Sequence, residues 1–256
     1  MNILDRFRLD GRVAVITGGS KGLGHSMAEG LAQAGAQVAL ISRHEEQAQA
    51  VANELEASNS RLCRGYGADV TEPDQVDAVV ARVLADFGHI DILINNAGIN
   101  LRGPIEHLSL ADFEQVYATN VRGPWLMCRA IGPYMRAQHF GRVINIGSML
   151  SVVGMADRTP YATSKGAILQ MTRVLALEWA SHGITVNAML PGPFATEMNQ
   201  SLLADPTTYQ RFVAMIPLGR WGELAEIQGL AVFLASDAAS FITGAAIAID
   251  GGMTAQ

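Results

Sequence analysis

The chain has 256 residues, of which 49% are hydrophobic and 16% charged, and its formal net charge is −6. This balance is too apolar for a disordered chain and too charged for an integral membrane protein. The negative charge argues against nucleic acid or an anionic membrane as the main partner. Two cysteines, Cys63 and Cys128, form neither a disulfide framework nor a CxxC motif, and no secretory signal is recognisable. We therefore expect a cytoplasmic enzyme without a metal site.

Short apolar runs rich in Val and Ile alternate with longer helical patterns along the whole chain. The predicted strands are residues 13–17, 38–41, 62–66, 90–94, 143–146, 184–190 and 246–249. The predicted helices are residues 24–34, 45–57, 72–87, 121–135 and 164–180. Strands alternating with helices predict parallel pairing with right-handed crossovers, and nearly continuous apolar strands indicate burial on both faces. The predicted fold class is α/β, a doubly wound Rossmann-type sheet of seven parallel strands.

The sequence shows no sign of a division into several domains. No linker, low-complexity tract or internal repeat divides the chain, so we predict a single dinucleotide-binding and catalytic domain over residues 1–256. Residues 193–216 are apolar but without a clear period, with Leu202, Leu203 and Phe212 set among polar residues. We interpret this segment as a mobile cover over a substrate site.

Two predicted helices, residues 121–135 and 164–180, carry apolar side chains on more than one face. A helix without a polar face is buried on both sides, here by the sheet and by another subunit. The alternative is a helix packed under its own loops. We favour a homotetramer or a homodimer.

A glycine-rich turn, Thr17-Gly-Gly-Ser-Lys-Gly-Leu-Gly24, joins the first strand to the first helix. Glycines at 18, 22 and 24 permit a tight turn, a close approach of the backbone to a pyrophosphate, and close packing of helix on strand. The helix N-terminus supplies free N–H groups for that anion. A plain tight turn is the alternative, but the position between strand and helix favours a dinucleotide site.

The residue type at the end of the second strand indicates whether NAD(H) or NADP(H) is bound. An acidic side chain there binds the adenosine 2′-hydroxyl, whereas an arginine favours a 2′-phosphate. This chain has Ser42 and Arg43 at that point, and Lys21 adds a positive charge in the glycine turn. We predict NADP(H) rather than NAD(H). The alternative is that Arg43 is an ordinary solvated arginine.

Two later strand ends add candidate cofactor contacts. Asp69 and Val70 follow the third strand, where a carboxylate suits the adenine amino group. Asn95-Asn96-Ala97-Gly98 follows the fourth strand and offers small residues and amides to the nicotinamide half. Both lie where open α/β sheets bind ligands, although each, taken alone, is more often ordinary loop chemistry than a site.

Tyr161 and Lys165 lie four residues apart in a helix that opens after Pro160, which places phenol and ammonium on one face. An unperturbed tyrosine, with a pKa of about 10, is almost fully protonated at pH 7. A lysine about 4 Å away at an effective dielectric near 20 is worth about 4 kcal/mol, or about three pKa units. We therefore expect Lys165 to lower the pKa of Tyr161 into a useful acid–base range. A surface pair is the alternative.

Ser148 and Asn120 are weaker candidates when taken alone. Ser148 ends the fifth strand, where a hydroxyl can hydrogen-bond a carbonyl oxygen as charge develops on it. A serine after a strand is more often a turn or cap residue. Asn120 falls inside a helical pattern, where its side chain would hold a local kink or a water.

Together these motifs resemble the short-chain dehydrogenase/reductase family, in its shorter, single-domain branch. The resemblance runs from residue 13 to residue 252. The motifs that carry it are Thr17-Gly-x-x-x-Gly-x-Gly24, Asn95-Asn-Ala-Gly98, Asn120, Ser148, Tyr161-x-x-x-Lys165, Pro191-Gly192 and Ile249-Asp-Gly-Gly252. The resemblance implies a reversible carbonyl reductase or alcohol dehydrogenase, usually a tetramer or dimer.

The resemblance also implies a role for each site residue. Tyr161 would exchange a proton with the substrate oxygen, and Lys165 would assist it and hydrogen-bond the nicotinamide ribose. Ser148 would polarise the carbonyl, Asn120 would hold a water of a proton relay, and Thr196 would bind the carboxamide. The full set of expected cofactor contacts is Gly18, Ser20, Lys21, Gly22, Leu23, Gly24, Ser42, Arg43, Asp69, Val70, Asn96, Ala97, Gly98, Tyr161, Lys165, Pro191, Gly192, Phe194 and Thr196.

Two loops bear on the identity of the substrate. The loops around Arg102 and Arg158 look most like the gluconate 5-dehydrogenase group, and either arginine would then contact a sugar-acid carboxylate. The alternatives are a 3-oxoacyl-carrier-protein reductase and a general ketone or steroid reductase. His139 and His182 stand where the former should have more basic residues. A dinucleotide sensor without turnover, and an epimerase or dehydratase of the extended fold, are disfavoured.

Overall fold

The computed structural model describes residues 2–199 and 204–255. Its strands are β1 Val13–Thr17, β2 Gln37–Ser42, β3 Cys63–Gly67, β4 Ile92–Asn95, β5 Gly141–Ile146, β6 Ile184–Pro191 and β7 Ala246–Ile249. Its α-helices are α1 Gly22–Gln33, α2 Glu45–Asn59, α3 Pro73–Phe87, α4 Leu110–Tyr117, α5 Gly123–Ala137, α6 Thr159–Trp179, α7 Pro206–Ala214 and α8 Glu226–Ala235.

The seven strands form one parallel sheet in the order β3-β2-β1-β4-β5-β6-β7, which confirms the predicted fold class. Side chains alternate between the two faces of each strand. In β1, Ala14 and Ile16 pack against α1, α2 and α8, whereas Val13 and Val15 pack against α3, α5 and α6. Because both faces are covered by helices, all five residues of β1 are buried.

The strand order reverses between β1 and β4, which lie side by side although β2 and β3 come between them in sequence. The loops that leave the two strands turn toward opposite faces and open a crevice at their carboxyl ends. This topology brings the glycine turn after Thr17 and the loop after Asn95 to one edge of the sheet. Both candidate cofactor loops therefore meet there.

The structure corrects several element boundaries. The helix predicted to open after Pro160 begins at Thr159, and α4 and α8 were not predicted at all. Residues 206–214, expected to lack a period, form α7 because Pro206 occupies its first turn and the Asp205 carboxylate caps it. Leu202 and Leu203 of the predicted cover lie outside the described residues.

Two further observations bear on partners. Across residues 2–199 and 204–255, no helix is both long enough and apolar enough to span a bilayer. Within the same ranges, no group of three or more His, Cys, Asp and Glu side chains is arranged to hold a metal ion.

Candidate active site

The glycine turn between β1 and α1 has the backbone that only glycine adopts readily. Gly18 and Gly22 have φ values of 64° and 55°. A side chain at Gly24 would collide with the carbonyl oxygen of Gly18 and with the amide of Asn96. The turn is thus held tightly under the N-terminus of α1, where free N–H groups suit a pyrophosphate.

The neighbouring loop braces this turn through hydrogen bonds. The Asn96 side-chain amide donates to the carbonyl oxygens of Thr17 and Gly18, each at 3.0 Å. The Thr17 hydroxyl accepts from the backbone N–H groups of Asn96 and Ala97 at 3.0 and 3.1 Å. Asn96 is therefore a brace for the glycine turn as well as a member of the predicted cofactor surface.

A groove of about 550 Å³ runs along this edge of the sheet and is lined by every predicted cofactor contact except Gly24, which lies beneath the turn. The groove is also lined by residues that the sequence had not indicated, among them Ile41, His44, Gln47, Ala68, Thr71, Ile99, Gln115, Thr119, Ile146, Glu197 and Asn199. Most of these are neighbours of predicted contacts and carry no motif of their own.

The charged groups of the groove are not all equally available to a ligand. Arg43 is exposed at the rim beyond β2. Lys21 makes an ion pair with Glu197 at 2.9 Å across the groove. The Asp69 carboxylate accepts from the backbone N–H and the hydroxyl of Thr71 at 2.9 and 2.8 Å. Arg43 is thus better placed than Lys21 to receive a phosphate group.

Tyr161, in the first turn of α6, and Ser148, after β5, face the same groove. A hydrogen bond between the two side chains lowers the pKa of Tyr161, and so does the positive charge of Arg102. Burial is the largest effect and raises the pKa, so the net shift is upward from the usual value. The phenol is therefore an acid that stays protonated at neutral pH.

The predicted lowering of the Tyr161 pKa by Lys165 is wrong, because the pKa is raised and Lys165 is not among the groups that shift it. The Lys165 amine lies 5.7 Å from the centre of the phenol ring and donates to the carbonyl oxygen of Ile146 at 2.6 Å. Burial lowers the pKa of Lys165 itself to about 8. The i, i+4 spacing did place both residues on one face, but the amine turns toward the end of β5 and not toward the hydroxyl.

Asn120 lies in a π-helical turn, Ala118–Arg122, between α4 and α5, so the helical pattern is locally irregular at this residue. Its side-chain oxygen accepts from the N–H of Ile99 at 2.8 Å, and its amide donates to the Ile99 carbonyl oxygen at 2.9 Å. The amide also donates to the Ser164 hydroxyl at 3.0 Å. Asn120 is buried beside the groove and ties the loop after β4 to α6.

A smaller chamber, of about 90 Å³, continues from the groove on the substrate side of Tyr161 and Ser148. Both predicted arginines, Arg102 and Arg158, line it, as do Asn100, Met149, Leu150, Met155, Asn199, Phe212 and Trp221. Trp221 was missed because no motif surrounds it, and Asn100, although it lies in the loop around Arg102 that the sequence indicated, was not itself singled out. They belong to the chamber only through the packing of distant loops.

The fold and the site together define a class of protein. A glycine turn at the point where strand order reverses suits a dinucleotide, and a phenol, a hydroxyl and a lysine line the same groove. Those groups can exchange a proton with a carbonyl oxygen beside a bound nicotinamide. The arrangement is that of a dinucleotide-dependent oxidoreductase.

Comparisons with known proteins identify the family. Residues 18–254 match a family model described as enoyl-(acyl carrier protein) reductase. Gluconate 5-dehydrogenase of Gluconobacter oxydans (strain 621H) is 39% identical, covering 98% of this chain and 97% of the relative. The 2-dehydro-3-deoxy-D-gluconate 5-dehydrogenase of Escherichia coli (strain K12) is 40% identical over 99% and 100% of the two chains. The chain belongs to the short-chain dehydrogenase/reductase family.

Solved structures agree with this assignment. The crystal structure of a gluconate 5-dehydrogenase from Burkholderia cenocepacia J2315, in complex with NADP and tartrate, superposes with a TM-score of 0.97. It is 38% identical and covers 100% of both chains. The protein is thus similar over its whole length to dehydrogenases of sugar acids.

Proposed function

We propose that this protein is an NADP(H)-dependent oxidoreductase that interconverts a ketone and a secondary alcohol in a sugar acid such as 5-ketogluconate. The observation that carries the proposal is the chamber beyond Tyr161, where Arg102 and Arg158 both lie. Two guanidinium groups beside a proton donor suit a substrate with a carbonyl at one end and a carboxylate at the other. The printed names of the relatives, which include gluconate 5-dehydrogenase and 5-keto-D-gluconate 5-reductase, support it.

Each polar group of the site has a proposed role in this reaction. A bound nicotinamide would supply or take up the hydride at the substrate carbon. Tyr161 donates its phenolic proton to the carbonyl oxygen, and Ser148 donates a hydrogen bond to the same oxygen as negative charge develops on it. Lys165 hydrogen-bonds the nicotinamide ribose. Asn120 holds the loop after β4 against α6, and its part in a proton relay stays a prediction.

The assay that tests the proposal is a panel of ketones, keto acids and keto sugar acids with NADPH and NADH, together with the corresponding alcohols and oxidised cofactors. We expect NADPH oxidation with 5-keto-D-gluconate to be faster than with a steroid ketone or a 3-oxoacyl thioester. A higher kcat/KM for the thioester would replace this proposal by the carrier-protein reductase. His139 and His182 occupy the positions where a carrier-protein reductase should have more basic residues, which counts against that alternative. Their rings lie 6.0 Å apart.

Replacing Arg43 by Asp should reverse the preference between NADPH and NADH. Arg43 is exposed at the adenosine end of the groove, and a hydrogen bond to a charged group is worth about 1.5–3 kcal/mol. We expect the ratio of the two dissociation constants, measured by nucleotide fluorescence, to change at least about 30-fold in favour of NADH. Arg136→Asp, the same charge change at an exposed site away from the groove, is the matched control. An unchanged ratio in Arg43→Asp would mean that another residue recognises the 2′-phosphate.

We propose that the chain assembles as a homotetramer or homodimer. Helices α5 and α6 carry large apolar side chains that are partly exposed in the single chain, namely Trp125 (51%), Tyr134 (48%), Val174 (42%) and Leu177 (83%). Large apolar side chains left exposed on the surface are of the kind that a subunit interface covers. The single-domain organisation over residues 1–256, the covering role of residues 193–216 and the cytoplasmic location remain predictions.

Leu177→Glu should reduce the molecular mass of the assembly measured by light scattering. A charge in an apolar interface costs several kcal/mol, so the variant should dissociate at micromolar concentration. Ile3→Glu makes the same change at another exposed apolar residue, 64% exposed and far from α5 and α6 in sequence, and should leave the mass unchanged. Equal masses for the Leu177→Glu variant and the parent would exclude α6 as an interface.

A further inference from the structure

The Asn199 side chain bridges two segments on the substrate side of the site. Its amide oxygen accepts a hydrogen bond from the Arg102 guanidinium at 3.0 Å, and its amide nitrogen donates to the carbonyl oxygen of Phe194 at 3.0 Å. Arg102 belongs to the loop after β4, and Phe194 follows β6. Asn199 lines both the cofactor groove and the substrate chamber, so the bridge lies where the two join.

The two partners of Asn199 determine which residue type can fill this position. A guanidinium group only donates hydrogen bonds, and a carbonyl oxygen only accepts them. An amide carries an acceptor and a donor at the end of one side chain, and it therefore satisfies both partners at once. A carboxylate would be repelled by the Phe194 carbonyl oxygen, and an aliphatic side chain would satisfy neither partner.

The end of the bridge at Phe194 is firmly held. Phe194 is buried, and its backbone pairs with that of Gly222 in an isolated β-bridge. The turn that carries Asn199 is closed by a hydrogen bond from its backbone N–H to the carbonyl oxygen of Thr196 at 2.9 Å. The amide oxygen of Asn199 is therefore presented to Arg102 from a fixed support.

The Arg102 side chain needs such a support to stay in the chamber. It is long and flexible, so confining it costs conformational entropy. Burial lowers the pKa of Arg102, which means that its surroundings disfavour its charge. The neighbouring Arg158 repels it, since the charge of Arg102 also lowers the pKa of Arg158. All three effects favour an Arg102 side chain that leaves the chamber for water, and the hydrogen bond to Asn199 opposes them.

A guanidinium held in this place acts on the proton donor. Arg102 and Tyr161 line the same chamber of about 90 Å³, and the positive charge of Arg102 lowers the pKa of Tyr161 against the larger effect of burial. An amide oxygen carries no net charge, so Asn199 fixes the guanidinium without neutralising it. The full positive charge stays available to the phenol and to an anionic substrate.

We propose that Asn199 is a positioning residue, which holds the Arg102 guanidinium in the substrate chamber that Tyr161 also lines and leaves its charge intact. The inference deepens the proposed function. Its consequence for a substrate carboxylate rests on that function, whereas its consequence for Tyr161 holds for any ketone that the enzyme reduces.

The test compares the parent with Asn199→Leu, Arg102→Met and the double variant in steady-state assays with NADPH. The substrates are 5-keto-D-gluconate and L-sorbose, in which a hydroxymethyl group replaces the carboxylate of the same carbon chain. Asn53→Leu makes the same change at an exposed asparagine of α2 and should behave like the parent. The measured quantities are kcat and KM for each substrate.

We expect Asn199→Leu to lower the ratio of kcat/KM for the acid to that for L-sorbose about 10-fold, mainly through a higher KM for the acid, because a hydrogen bond to a charged group is lost. The kcat/KM for the neutral ketone should fall about 3-fold, because the charge acts less on the phenol. In the Arg102→Met background, adding Asn199→Leu should change neither value. A purely structural effect of Asn199 would persist in that background.

Two further substitutions separate the position of the guanidinium from its charge. Asn199→Gln keeps a donor and an acceptor on one side chain and should restore most of the preference for the acid. Asn199→Asp keeps an acceptor for Arg102 but neutralises its charge, so the preference should fall at least as far as in Asn199→Leu. Parent-like preference in Asn199→Asp would contradict the inference. Melting temperatures and NADPH dissociation constants close to those of the parent would exclude a folding or cofactor defect.

The results distinguish failure of this inference from failure of the proposed function. If the parent does not reduce 5-keto-D-gluconate, the sugar-acid proposal fails, and the four proteins are compared with the ketone that the parent reduces fastest. A loss in Asn199→Leu that disappears in the Arg102→Met background then still supports the inference. If Asn199→Leu behaves like the parent, or if its loss persists in full without Arg102, Asn199 does not position the guanidinium.

Discussion

Tyr161→Phe is expected to lower kcat for carbonyl reduction at least about 1,000-fold and to leave the dissociation constant of NADPH nearly unchanged. The substitution removes only the phenolic hydroxyl, which is the proton donor of the proposed reaction. The ring stays in the first turn of α6, between the cofactor groove and the substrate chamber. The measurement is steady-state turnover with NADPH, combined with a fluorescence titration of the nucleotide.

The matched control is Tyr117→Phe, because Tyr117 stacks on Phe113 and lines neither the groove nor the chamber. This variant should retain the parent turnover. Turnover of Tyr161→Phe within a few-fold of the parent would require another proton donor. Of the neighbouring groups, Ser148 is a weak acid at neutral pH, and Arg102 stays charged, so neither replaces the phenol easily.

The direction of the Tyr161 pKa shift also determines how the two directions of reaction depend on pH. Burial raises this pKa, so the protonated phenol persists to a higher pH than for a free tyrosine. Reduction consumes the phenolic proton and is supported across neutral pH. Oxidation of an alcohol needs a deprotonated phenol and is favoured as the pH rises. At neutral pH the phenol is thus in the protonation state that reduction requires.

The cofactor side of the molecule was predictable because its turns and strand ends depend on residues that are neighbours in sequence. Gly18 and Gly22 adopt positive φ because the turn requires it, and the strand before and the helix after them were evident from hydrophobic periodicity. The predicted cofactor contacts come from strand ends, and a parallel sheet brings strand ends together. Once a doubly wound parallel sheet was inferred, their convergence followed without knowledge of any side-chain packing.

The substrate side depends on contacts between segments that are distant in sequence, and it was not predictable in the same way. Trp221 reaches the chamber because α7 packs on it through Tyr209, and residue spacing does not encode that contact. The Lys165 amine is another case, since its hydrogen bond goes to Ile146 on β5. The spacing of Tyr161 and Lys165 fixes the face of the helix but not the direction of a flexible side chain.

Lys165→Met is expected to impair both turnover and NADPH binding and yet to stabilise the ligand-free protein at pH 7. Lys165 is buried, and burial lowers its pKa from 10.5 to about 8. At pH 7 the folded protein must therefore bury a charge, at a cost of about 3 kcal/mol. Methionine has a similar shape and no charge. After loss of the hydrogen bond to Ile146, worth about 1 kcal/mol, the net gain should raise the melting temperature by about 4–8 °C.

The pH dependence of this gain separates a charge effect from better packing. A lysine whose pKa is lowered on folding destabilises the folded state fully below pH 8, and the penalty disappears as the pH rises to 10.5, where the unfolded chain also loses the proton. The difference in melting temperature between variant and parent should therefore shrink steadily between pH 8 and pH 10.5. A constant difference over that range would mean that the ammonium is not desolvated. Loss of turnover with unchanged NADPH affinity would contradict the proposed contact between Lys165 and the ribose. Losing that contact should weaken NADPH binding.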